Sequence, residues 1–245
     1  MPEDLVKIYM AQLINSLEFM QSKNVIHRDL KPLNIMLDEN FNLKLIDFGD
    51  AKVVEEKEKL DQSTNKSVVD QPSTPEEDSL DQEGYSDGRL TDEEGSDQTS
   101  DDEDGNGPAL ERTETFVGTQ NYLSPEMITG KPQGFELDVW VSGLIMFKML
   151  TGKPAFKGLR PEIIQQDILA RNINWPKTNI NEIMSKDAQD IINKLIQLEP
   201  SKRIKLPELK KHRFFHDIDF DEVSKPNYKE AVGLVTIIRD QFIES

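Results

Sequence analysis

Four polar residues, Asp29, Lys31, Asn34 and Asp47, stand at a spacing that could serve phosphoryl transfer. They lie in Val25-Ile26-His27-Arg28-Asp29-Leu30-Lys31-Pro32-Leu33-Asn34 and in Asp47-Phe48-Gly49. The lysine follows the first aspartate by two residues, the asparagine by five and the second aspartate by eighteen. In-line transfer of a phosphoryl group asks little covalent work of a protein; it needs an oriented nucleophile and neutralised charge on the phosphate oxygens. Carboxylate and amide oxygens suit a hard cation such as Mg²⁺, which keeps several waters and leans on substrate phosphates. Any one of these residues alone would read as a turn residue in a polar loop. Their joint spacing argues for a site.

The elements that must position them are legible nearby. Ile35-Met36-Leu37, Asp38-Glu39-Asn40 and Leu43-Lys44-Leu45-Ile46 read as strand, turn and strand. Such a hairpin brings Asn34 and Asp47 to neighbouring strand ends, facing one metal. Upstream, Pro2-Glu3-Asp4 suits a helix start, with proline early and acids in the first turn. Leu5, Ile8, Tyr9, Leu13, Leu17 and Met20 then recur at helical spacing, which predicts an amphipathic helix to about Ser22.

These motifs resemble those of the eukaryotic protein kinases, and the chain downstream keeps their order. Thr115-Phe116-Val117-Gly118-Thr119-Gln120-Asn121-Tyr122-Leu123-Ser124-Pro125-Glu126 is similar to the second half of a kinase activation segment, with Ser124 in place of the usual alanine. Lys31 and Thr119 match the serine/threonine class. The activation segment, together with His212-Arg213-Phe214-Phe215 and Ile218-Asp219-Phe220, resembles the AGC group and within it the phosphoinositide-dependent protein kinases. The resemblance implies that Asp29 accepts or orients the substrate hydroxyl proton, that Lys31 neutralises the transferring phosphate and that Asn34 and Asp47 hold Mg²⁺ for ATP, with Met36 beside the nucleotide. It further implies that His27, Arg28, Phe48 and Gly49 shape the loop, that Asp138 braces its backbone, and that Arg203 pairs with Glu126. Thr115 corresponds to the residue that an activating kinase phosphorylates. Protein substrates are the implied partners.

The implied fold is mainly α with short β-hairpins, that of a kinase C-terminal lobe. No strand-borne Gly-x-Gly-x-x-Gly, Val-Ala-x-Lys or helix-borne glutamate precedes Met1, so the N-terminal, ATP-covering lobe is expected to be absent and the chain by itself inactive. Leu33 departs from the family's glutamate and removes a carboxylate used toward the ribose and toward basic substrates. Asp50 after Asp-Phe-Gly, and Val141-Ser142-Gly143, are smaller departures. A pseudokinase remnant that binds proteins is the competing reading, and an acidic interaction protein a third.

Charge is unevenly spread. The net charge is −17 over 245 residues, but residues 55–112 hold 20 acidic and 5 basic side chains, a difference of −15. The remainder is nearly neutral. Residues 55–112 are rich in Ser, Thr, Gly, Asp, Glu and Gln and lack an apolar period, so they are expected to be a disordered insert in the activation segment. The expected organisation is therefore 1–54 as the first part of the lobe, 55–112 as insert, 113–220 as the second part and 221–245 as tail, with a candidate amphipathic helix at 231–242. Further helices are expected from Asp138-Val139-Trp140 to Leu150, at 161–171, at 187–198 with Ile191, Ile192, Leu195 and Leu198 on one face, and at 207–212. The apolar run Val139–Leu150 is about half the roughly 20 residues that a membrane span needs. Zero cysteines and three dispersed histidines exclude disulfides and argue against zinc. Nothing suggests nucleic acid, and a cytoplasmic or nuclear setting is expected.

Overall fold

The computed structural model describes residues 1–54, 120–177, 179–223 and 225. The expected insert at 55–112 and the candidate tail helix at 231–242 lie outside the described residues. Two long helices carry the core. Helix α1 (Glu3–Ser22) begins with Glu3 and Asp4 in its first turn and buries Leu5, Ile8, Tyr9, Leu13, Ile14 and Leu17. A short 3₁₀ turn and two small antiparallel sheets follow it. Strand β1 (Val25–Ile26) pairs with β4 (Lys52–Val53), and β2 (Ile35–Leu37) pairs with β3 (Leu43–Leu45) in the register Ile35↔Leu45. Asp38 makes the hairpin turn: its Oδ1 accepts the backbone N–H groups of Asn40 and Asn42, each at 2.9 Å. Those bonds hold its carboxyl below the usual range, the Asn42 N–H first among the causes.

Beyond residue 120 the chain is helical. A one-turn helix α2 (Pro125–Ile128) is capped by Ser124 and leads to α3 (Glu136–Thr151). Helix α3 is apolar nearly all round and buries Leu137 through Phe147, the pattern of a helix at the centre of a lobe. Full burial of side chains such as Trp140 and Phe147 stabilises by about 1.5–3 kcal/mol each. The helix stops at Gly152, whose φ of 71° lets its N–H close back on Lys148 O at 2.8 Å. Helices α4 (Pro161–Leu169), α5 (Ile180–Ile183), α6 (Lys186–Leu195) and α7 (Leu206–Leu209) complete the set. Helix α6 lays Ile191, Ile192 and Leu195 against α3 so closely that a Cβ on Gly143 would stand 2.7 Å from Leu195 Cβ. No helix among the described residues is long and apolar enough to cross a membrane.

The helix expected at 187–198 ends three residues early, and the carbonyls its last turn would have used have other donors: Asn193 O accepts Arg171 Nη2 and Lys194 O accepts Ile204 N, each at 3.1 Å. The carbonyls of Gln197 and Leu198 accept from Arg203 Nε (2.8 Å) and Nη2 (3.2 Å). Both carbonyls lie past the helix end and serve that guanidinium, while Leu198 still packs against the core. The segment expected at 161–171 stops at Leu169, since Arg171 turns left-handed (φ 53°) and sends Nε to Ile196 O at 2.6 Å. The segment expected at 207–212 shortens to the single turn of α7, followed by a 3₁₀ turn over Arg213–Phe215.

Candidate functional site

The loop between β1 and β2 is held from beneath by one buried carboxylate. Asp138, in the first turn of α3 and 4% exposed, accepts the backbone N–H of His27 on Oδ2 (2.8 Å) and that of Arg28 on Oδ1 (3.2 Å). Burial pushes its carboxyl above the usual range, and the two N–H bonds oppose that shift. Arg28 needs such a hold because its φ is 67°, a left-handed conformation that a side chain with a Cβ adopts at a cost. Its Nε also donates to Asp50 O at 2.5 Å, tying the loop to the segment after Asp47-Phe48-Gly49. His27 is fully buried, with its ring 5.0 Å from that of Phe48 and its Nε2 3.2 Å from Ile46 O. A carbonyl can only accept, so Nε2 donates that bond, while the buried Nδ1 has no hydrogen-bond partner among the described residues.

Above that base the polar residues converge. Lys31 Nζ lies 2.7 Å from Asp29 Oδ2, and Asn34 Nδ2 donates to the same oxygen at 2.9 Å and to Asp29 O at 2.7 Å. Two donors on one carboxylate oxygen fix the plane of the carboxyl group and leave its other oxygen open. The asparagine is buried in the 3₁₀ turn Pro32–Asn34, and its own carbonyl accepts Ile46 N at 3.0 Å. That bond sets Asp47 beside it across the hairpin. Asp47 is exposed, has a φ of 62°, and accepts Gly49 N on Oδ1 at 3.3 Å.

The donor set fits a hard divalent cation. Asn34 has spent its amide N–H on Asp29, so among the described residues its Oδ1 is without a hydrogen bond, as is Asp47 Oδ2. These are one neutral and one anionic oxygen at the ends of paired strands. Among the described residues no group of three His, Cys, Asp or Glu side chains could cage a metal, so such an ion would complete its shell with water and phosphate oxygens. Met36 lies on β2, half exposed, on the same hairpin. Phe48 is 50% exposed. Thr115 and Thr119 fall outside the described residues.

Behind the loop, Arg203 meets Glu126 as a two-pronged ion pair. Nη1 lies 2.6 Å from Oε1 and Nη2 2.7 Å from Oε2, with the side chains 0% and 2% exposed. Nη1 donates also to Glu136 O at 2.8 Å, and the guanidinium lies 5.1 Å from the Trp140 ring centroid. Trp140 in turn donates from Nε1 to Leu123 O at 3.0 Å, so one cluster ties the segment before α2 to α3. Sequence reasoning passed over Trp140 in this role. It also passed over Gln12, which is buried in α1 and receives Leu43 N on Oε1 at 2.8 Å while donating to Val223 O at 3.0 Å. The available signal was a glutamine set among the apolar positions of that helix.

Known proteins share this pattern. The family model for the protein kinase domain matches residues 1–75 and 83–215. The chain is 35% identical over 228 residues to the probable serine/threonine protein kinase IREH1 of Arabidopsis thaliana, covering 91% of this chain and 16% of that protein. It is 31% identical over 214 residues to the serine/threonine-protein kinase PDK1 of Cryptococcus neoformans (87% and 13%) and 30% identical over 224 residues to the serine/threonine-protein kinase PKH2 of Candida albicans (90% and 18%). The chain thus spans less than a fifth of the length of each of these three relatives. The last two bear out the resemblance to the phosphoinositide-dependent kinases of the AGC group. By its domain and its relatives, the chain belongs to the protein kinase family, among the serine/threonine protein kinases.

Proposed function

We propose that these residues form the substrate-side, C-terminal lobe of a kinase that transfers the γ-phosphoryl group of Mg·ATP to serine or threonine hydroxyls of proteins. The observation that carries this reading is the Asp29 carboxylate, gripped on one oxygen by Lys31 and Asn34 and open on the other. The open oxygen orients the acceptor hydroxyl and takes its proton. Lys31 neutralises charge on the transferring phosphoryl group, and Asn34 Oδ1 and Asp47 would hold Mg²⁺, which would supply charge neutralisation at the phosphates. Asp138 fixes the loop backbone, and the Glu126–Arg203 pair anchors the end of the activation segment. A phosphate on Thr115 would add roughly −2 charge, with the Arg28 guanidinium as its partner in ordering that segment. Mapping phosphates on an active form tests that last role; a bare Thr115 would remove it.

Positioning and charge stabilisation are each worth several powers of ten in rate, and groups that cover the nucleotide share that work. The 245 residues alone are therefore expected to bind Mg·ATP weakly and to show no measurable transfer. Supplying the ATP-covering lobe of a similar kinase should restore transfer, and Asp29→Asn or Asp47→Asn should abolish it. Robust transfer by the chain alone would overturn the division of labour. A folded, nucleotide-binding complement that stays inert would leave a protein-binding module.

A further inference from the structure

The surface behind the Asp29 loop carries an exposed cation, Lys148, and no acid in the cavity that it lines. Leu33, the middle residue of the turn that holds Asn34, is 69% exposed, an aliphatic side chain presented to solvent four residues after Asp29. Behind the same turn, Pro32 and Lys148 line one cavity of about 250 Å³, whose other walls include Ile35, Leu37 and Ile145. No carboxylate lines it. Lys148 is the one charged side chain in the buried run of α3 from Val139 to Leu150. It is exposed, and its ammonium has no ion-pair partner among the described residues. From Val139 to Pro161 the sequence holds Lys148, Lys153, Lys157 and Arg160 and no Asp or Glu.

We infer that Lys148 and Leu33 select an acidic peptide: the acceptor serine or threonine is flanked by Asp or Glu on the side that passes over Lys148, and by uncharged residues where it crosses Leu33. A basic side chain over Lys148 would meet an unpaired ammonium, and the cavity that Lys148 lines offers no carboxylate to replace its lost water, so exclusion contributes as well as attraction. The inference rests on the reading of this loop as the place where the acceptor hydroxyl is oriented, and it names the substrate class of that same site.

The test is a charge-reversal comparison read by binding, so it is independent of phosphoryl transfer. Two fluorescent serine peptides, identical except for flanking Glu or flanking Arg, are titrated by anisotropy into the full chain and into Lys148→Glu, Leu33→Glu and Lys211→Glu variants. The acidic stretch at 55–112 biases every chain equally toward the basic peptide, so the ratio of the two affinities is compared between chains. Lys148→Glu is expected to move that ratio about tenfold toward the basic peptide, and Leu33→Glu in the same direction. Lys211→Glu, an exposed lysine outside this stretch, should move it less than twofold. Circular-dichroism melts confirm that each variant folds. Equal shifts for Lys148→Glu and Lys211→Glu, or no shift at either, including no measurable binding, would overturn the inference. Failure of the catalytic reading shows instead as an inert complemented enzyme whose peptide preference still follows Lys148.

Discussion

Two carboxylates, Glu126 and Asp138, are buried almost equally, at 3% and 4% exposure, and the molecule stabilises them by different means. Glu126 is answered by a full opposite charge in a fork of two bonds, with the guanidinium's other donors spent on the Glu136, Gln197 and Leu198 carbonyls. Asp138 is answered only by two backbone N–H groups. The arginine fork joins side chains 77 residues apart and holds the ends of two segments together. The backbone grip fixes the conformation of two residues, one of them left-handed, directly under Asp29. Charge pairing thus joins two side chains of separate segments, and dipole pairing sets the backbone of one loop, from 111 and 110 residues away.

The largest test of that difference removes one charge from the pair. Arg203→Ala strands the Glu126 carboxylate in a dry environment and deletes bonds to three carbonyls, so it should cost about 3–5 kcal/mol. Arg160→Ala, at an exposed site, should stay within about 0.5 kcal/mol. Urea denaturation of both variants at one pH reads the contrast directly. Equal losses would mean that water reaches the pair and that its burial carries no energetic weight.

Asp138→Asn keeps the volume but exchanges an acceptor for an N–H that faces other N–H groups. A loss of about 1.5–3 kcal/mol is expected near neutral pH, the usual worth of hydrogen bonds to a charged group. The pH dependence sharpens the point, because burial raises the carboxyl above its unfolded value of 3.8. A raised acid binds its proton more tightly in the folded chain. Its contribution to stability is therefore greatest below pH 3.8 and falls as pH rises through the raised folded value. The stability of the natural chain relative to Asp138→Asn should decline across that window and then level. The exposed Asp190 behaves oppositely: Lys194 and His212 hold its carboxyl down, so its contribution is lost as pH falls. A relative stability that rises with pH at Asp138 would show that the backbone bonds outweigh burial.

The sequence made much of the candidate site legible because its chemistry is compact. Asp29, Lys31, Asn34 and the hairpin lie within 17 residues, and alternation with a polar turn was enough to place β2 and β3. Apolar period likewise exposed α1 and α6, and a continuous apolar run exposed α3. What stayed hidden depends on distant partners. The pairing of Val25 with Val53 joins two-residue strands too short to carry a pattern. The early end of α6 goes with distant partners for the carbonyls that a longer helix would have used, Arg171 Nη2 on Asn193 O and Ile204 N on Lys194 O. Gln12 and Trp140 look like ordinary core positions until their bonds to Leu43 N, Val223 O and Leu123 O are seen. Local spacing reveals what residues can do, whereas the groups that hold them are found only in three dimensions.

The smallest expected effect concerns how Glu126 is delivered to its arginine. Ser124 is fully buried and stands as the cap of α2, where its Oγ accepts Met127 N at 3.3 Å. Proline at the next position pre-sets the first helical φ, so the turn carrying Glu126 has two independent causes. Ser124→Ala, the residue the family more often uses, removes one of them and should cost about 1 kcal/mol. If the arginine fork alone positioned Glu126, the loss would be the same in an Arg203→Ala background. If cap and fork cooperate, a double-mutant cycle should show a coupling of at least about 0.5 kcal/mol, since both act on one turn. The Asp138 contacts, which grip a different loop, should show none with Ser124→Ala. A coupling between Ser124 and Asp138 as large as that between Ser124 and Arg203 would mean that the two carboxylates belong to one mechanical unit and that the distinction between joining segments and setting one loop fails.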